Sequence, residues 1–187
     1  TDLIRNSNYV PIYRKVFIDN KQKLIGVFET IVSANDPFGF DKRQDGSMKR
    51  VKPEFKLEPF KNSIYFYYNG WRTEGIGYID KSAVSRHTEW IAKQKIMIPK
   101  AWGIGNPQKD RLSAFVAENN SCCYETYLVV GPFENANELN NVLKYMSTSF
   151  FHFMVSFHKN TQNSMQDDYK YVPLQDIKNT SQIDWPK

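Results

Sequence analysis

Apolar positions along the chain fall into short runs separated by Pro, Gly and Asn, and one stretch repeats with a helical period. Leu139, Val142, Leu143, Met146, Phe150, Phe153, Met154 and Phe157 recur at helical spacing, which predicts a helix with one apolar face. Asn135 with Glu138 fits a capping box at its start, and the Ser-Thr-Ser at 147–149 is a candidate break into two helices. Most other runs carry strand signals. LIGVFETIVS (24–33) is β-branched and apolar and is predicted as a strand ended by the turn ANDPFGF. SIYFYYN (63–69) and GIGYID (75–80) predict a hairpin, SRHTEWIAKQ a short helix and KIMIP a strand. RLSAFVA (111–117) and YETYLVVG (124–131) read as a second strand pair around the polar turn ENNSC, and DYKYVPLQDI as a strand stopped by Pro173. The opening YVPIYRKVFID fits a short helix and an edge strand equally well, and 41–61, charged and without a period, is expected to be an exposed loop. Strands and helices mix without a strict βαβ rhythm, so the expected fold class is α+β.

A chain of 187 residues, 41% apolar and 15% aromatic, can bury one substantial core, so one domain over 1–187 is expected. Its longest apolar run is too short to cross a bilayer and no signal sequence opens it, so a soluble, cytoplasmic protein without membrane contact is expected. The ending SQIDWPK suggests a piece of a longer chain. The net charge of +5 is unevenly spread. Residues 41–61 hold seven Lys/Arg against four acids and 81–111 seven against two, whereas 112–143 carry four glutamates and no cation. A basic face confined to the middle of the chain suits a polyanion.

Two adjacent cysteines, Cys122 and Cys123, lack the spacing of a zinc pair. On a strand one would be buried and the other turned away, and two free thiols in a reducing compartment are expected. His87, His152 and His158 are scattered. Asp45, Glu54 and Lys56 imitate the D…ExK spacing of a Mg²⁺-dependent endonuclease, but the last two follow Pro53 in a loop, where the rigid strand positions this chemistry needs are not expected. NDPFGF (35–40) is similar to the N/D-P-P-Y/F loop of amino-methylating enzymes without its second proline, and GIGNP (103–107) follows no βα unit; both read as turns. Tyr65, Tyr67, Tyr68, Trp71, Trp90 and Trp102 interleave with Arg72, Arg86, Lys93, Lys95 and Lys100, a mixture suited to phosphates and bases, although core packing claims most such rings. HKNTQNS (158–164) offers Lys159, Thr161, Gln162 and Asn163 either as a base-reading loop or as a solvated one.

The strings VSANDPFGF, GYIDKSAV, EWIAKQKIMIPKAWGIG, NSCCYETYLVVGPF, MSTSFFHFMVSFHKNTQN and YKYVPLQDI, in this order, resemble the C-terminal region of restriction–modification adenine-N6 DNA methyltransferases over roughly 30–185. Asn-Ser-Cys-Cys-x-Glu-Thr-Tyr is the most specific part, and residues 1–30 have no counterpart. The resemblance implies a DNA target-recognition domain similar to those of type I specificity subunits: a mixed, mainly antiparallel twisted sheet with flanking helices. It implies a non-catalytic role in bacterial defence, with double-stranded DNA and an N-terminal methyltransferase domain of the same chain as partners. Catalysis and S-adenosylmethionine would belong to that domain, and the two cysteines would be structural. The contacts it suggests are Lys42, Arg43, Lys49 and Arg50 in the variable loop, Lys100 and Trp102 in IPKAWG, and Lys159, Thr161, Gln162 and Asn163 after the helix. An endonuclease domain built on Asp45, Glu54 and Lys56, or a module docking a restriction subunit, are the alternatives.

Overall fold

A computed structural model describes residues 7–40, 52–69, 75–101, 112–159, 163–181 and 183–184. The opening segment is helical: α1 (Val10–Tyr13) continues as a π-helical turn over Arg14–Ile18. Six strands follow among the described residues: β1 (Ser63–Tyr67), β2 (Ile76–Asp80), β3 (Gln94–Pro99), β4 (Phe115–Val116), β5 (Ser121–Cys123) and β6 (Tyr127–Phe133). Helices α2 (Ala136–Ser147) and α3 (Ser149–Val155) come next. The fold is α+β, with two three-stranded sheets, ordered β2-β1-β5 and β4-β3-β6, in which β1–β5 is a parallel pair and the other pairs are antiparallel.

From Ile96 in β3 and from Tyr127 to Val130 in β6 the strands are continuous apolar runs rather than alternating ones, the pattern of strands covered on both faces. Successive residues therefore enter different cores. Ile96, Ile98, Leu128 and Val130 pack with Phe28, α2 and α3, whereas Met97, Tyr127 and Val129 pack with β1, β2 and β5. The β4-β3-β6 sheet is the middle layer between the helices and the second sheet.

The predicted hairpin forms, with Tyr65 opposite Tyr78. The predicted helix forms and breaks at Thr148, whose Oγ1 accepts from Phe151 N at 3.1 Å and caps α3, while Asn135 Oδ1 accepts from Asn137 N and Glu138 N and caps α2.

Five expectations are corrected. Residues 24–33 are not a strand: Phe28–Ile31 is a 3₁₀ turn between single bridges, Val27 to Pro173 and Val32 to Val130. Its partners lie on two different segments, and Phe28 is drawn between them against Phe151, ring centroids 4.8 Å apart. SRHTEWIAKQ shortens to the turn Thr88–Trp90, entered through His87 at φ +48°. The stretches 111–117 and 124–131 do not pair with each other, because β3 lies between β4 and β6. The end of the expected turn, with Cys123, supplies β5, which joins β1 instead. DYKYVPLQDI is not a strand: Gln166–Tyr169 is a 3₁₀ turn, and Tyr169, Tyr171 and Val172 are all pulled into the helical core. Finally, both cysteines are buried rather than one. β5 ends at Cys123 and the chain turns at 125–126 before β6 begins.

No described helix is long and apolar enough to cross a membrane.

Candidate nucleic-acid interface

Of the ten suggested contacts, Lys42, Arg43, Lys49, Arg50, Trp102, Thr161 and Gln162 lie outside the described residues, as does Asp45. Lys100, Lys159 and Asn163 lie within them, and the fold brings their two stretches together. Ala101 and Asn163 form an antiparallel bridge, and Ser164 N donates to Lys100 O at 2.7 Å. On the other side Lys100 N donates to Thr126 O at 2.9 Å. The end of β3 is thus held between the β5–β6 turn and the segment that follows α3.

The Lys100 side chain points inward. Its Nζ lies 3.0 Å from Glu125 Oε2 and donates to Asn35 Oδ1 at 2.5 Å, with the lysine and glutamate side chains only 11% and 13% exposed. Asn35 opens the NDPFGF turn. That turn is closed internally: Asp36, at φ +52°, accepts Phe40 N at 2.8 Å on Oδ1, and Phe38 and Phe40 are buried. Gly39, at φ +78°, leaves room for Ser85, since a Cβ there would meet Ser85 Oγ at 2.2 Å. GIGNP lies outside the described residues.

Lys159 follows α3, half-buried, with its N–H donating to Val155 O. The neighbouring His158 is gripped by the 166–169 turn, Nε2 lying 3.2 Å from Asp167 Oδ2 and Nδ1 3.4 Å from Asp168 Oδ1. Asn163 is exposed.

The interleaved aromatic and cationic set divides by burial. Tyr67 is buried and Tyr65, Tyr68 and Trp90 are half-buried. Lys95 is fully buried, Lys93 pairs with exposed Glu134 at 2.8 Å, and Arg86 is exposed. His87 stacks on Trp90 at 3.8 Å, and Lys52 Nζ lies 5.1 Å from the Tyr68 ring centre, a cation–π distance. Trp71 and Arg72 lie outside the described residues.

Glu54 and Lys56 are exposed. The Lys56 backbone pairs with Tyr78, and its ammonium sits 4.9 Å from the Phe60 ring centre. Among the described residues no three His, Cys, Asp or Glu side chains gather to hold a metal ion. Burial pushes both Cys122 and Cys123 thiols well above the usual range, so they are protonated and poor nucleophiles.

Reading the sequence alone missed Glu125 as a partner of Lys100. The available signal was a carboxylate inside a stretch, 112–143, that has no cation of its own.

Comparison with family models, with curated proteins and with solved structures gives no significant match.

Proposed function

We propose that this chain is a sequence-specific double-stranded DNA recognition domain of a restriction–modification N6-adenine DNA methyltransferase, non-catalytic by itself. The observation that carries the reading is the Ala101–Asn163 bridge, which joins two stretches singled out by residue type alone, IPKAWG and HKNTQNS. Basic residues of the mid-chain segments set register on phosphates, and exposed polar side chains such as Asn163 read base edges in the major groove. Methyl transfer and S-adenosylmethionine belong to an upstream domain of the parent chain, into which the target adenine is flipped.

The test is binding of the 187-residue chain to duplexes with a randomised core across a salt series. A reader of duplex DNA gives a steep fall of affinity with salt and an enriched sequence. Asn163→Ala is expected to relax discrimination at one position by about 1–3 kcal/mol. Lys159→Ala is expected to weaken all sequences alike and lower the salt slope by about 1. A flat salt response would favour a protein-docking module, and Mg²⁺-dependent plasmid cleavage lost in Glu54→Ala would make the chain a nuclease.

A further inference from the structure

We propose that Lys100, through Glu125 and Asn35, is a positioning residue for the base-reading edge and not itself a phosphate contact; this rests on the DNA-reading function above. The ammonium is turned into the fold, 3.0 Å from one carboxylate oxygen and 2.5 Å from one amide oxygen. To reach a phosphate it would have to leave both and open an ion pair whose two side chains are only 11% and 13% exposed. Opening a shielded ion pair from one side is the costly direction.

What the pair holds in place is a junction of four segments. The NDPFGF turn enters through Asn35 and the β5–β6 turn through Glu125 and Thr126 O. The end of β3 enters through Lys100, and the chain after α3 through Ser164 N and the Asn163 bridge. The main chain of Lys100 is bonded on both sides, and its side chain ties in the NDPFGF turn and grips the β5–β6 turn a second time, so Lys100 helps to set where Asn163 stands. Base-edge hydrogen bonds need donor and acceptor within a few tenths of an ångström of their ideal positions, so a loosened junction costs sequence discrimination before it costs phosphate attraction.

Electrostatics separates this role from its rival. If Lys100 contacts phosphate, Lys100→Met removes one neutralised phosphate and lowers the salt slope by about 0.9, while Glu125→Gln frees the lysine and tightens binding to every sequence. If Lys100 positions, both variants lose sequence discrimination by about tenfold or more, equivalent to about 1.4 kcal/mol, with the salt slope unchanged. A double variant, Lys100→Met with Glu125→Met, removes both charges together and provides a folded reference should a single variant unfold; it is expected to keep the slope and lose discrimination as well. Hydrogen exchange without DNA supplies a second reading: the Ser164 amide is expected to exchange about tenfold faster in Glu125→Gln, while amides of the β3–β6 ladder stay protected. A lowered slope in Lys100→Met, tighter general binding by Glu125→Gln, or full discrimination in all three variants would each overturn the proposal and leave the DNA reading standing. Absence of salt-dependent duplex binding by the unaltered chain would remove the DNA reading itself, and the proposal with it.

Discussion

Lys95 carries its charge into the interior and, among the described residues, pairs with no carboxylate. Its Nζ donates to the carbonyls of Trp90, Ile91 and Lys93 at 3.0–3.1 Å, closing the turn that leads into β3. Burial is the main cause that lowers its pKa to about 8, from 10.5; the neighbouring Cys122 and Cys123 act the other way, but weakly, because burial keeps both thiols protonated. Between pH 8 and 10.5 the unfolded chain therefore binds more protons than the folded one at this site, and stability rises with pH across that window. The thiols oppose it from about pH 9 upward, since the unfolded chain ionises them first. Urea denaturation from pH 7 to 10 should show the unaltered protein gaining on Lys95→Met by roughly 1–3 kcal/mol between pH 8 and 10. A pH-independent difference between the two would show that Lys95 does not titrate near 8. The same burial predicts that Ellman's reagent labels neither cysteine in the native protein and both after denaturation, a contrast that an exposed thiol would erase.

Single elements show what each part of the pattern could foretell. The helical stretch was legible because its signals are local: Asn135 and Thr148 cap the helices from within three residues, and the apolar spacing needs no partner to be recognised. Replacing Thr148 by alanine removes the α3 cap and also the Oγ1 bond to Tyr145 O, and is expected to cost about 1 kcal/mol in chemical denaturation, with little change in α2. Pairings across long sequence distances were not legible. Strand β5 pairs with β1, some 56 residues earlier, and the Lys100–Glu125 bond spans 25 positions, so nothing near either residue announces it. Residues 24–33 have strand composition, yet their backbone is satisfied by Val172 O on one side and Val129 O on the other, and the chain turns between them. For the site, residue type singled out 100–102 and 159–163, but only the fold brings Ala101 against Asn163. Gly77 belongs with the illegible features, since its reason is a neighbour. A Cβ there would stand 2.6 Å from Phe55 Cδ2 and 2.9 Å from Lys56 O, so Gly77 lets the 55–56 segment lie against β2. Gly77→Ala is expected to cost about 1–3 kcal/mol by overpacking. It should also speed exchange of the Lys56 and Tyr78 amides, which bond each other's carbonyls.

At the scale of the whole molecule, the middle sheet couples the two cores. Met97 and Ile98 are sequence neighbours, both fully buried, yet one faces the layer of β1, β2 and β5 and the other faces α2 and α3. Neither core can lose its packing without exposing one face of β3 and β6, and a strand stripped of one face gives up half of the apolar burial that holds it. A chain arranged this way is expected to unfold as one cooperative unit. Met97→Ala and Ile98→Ala should each destabilise by about 2–5 kcal/mol, the usual cost of a large buried side chain cut to alanine. Both should shift one common transition, with far-UV and near-UV circular dichroism coincident in each variant. The competing outcome is specific: if Met97→Ala melted the near-UV signal of the tyrosine-rich β1–β2–β5 layer while the helical far-UV signal persisted to higher denaturant, the two cores would be separate folding units that happen to share a sheet.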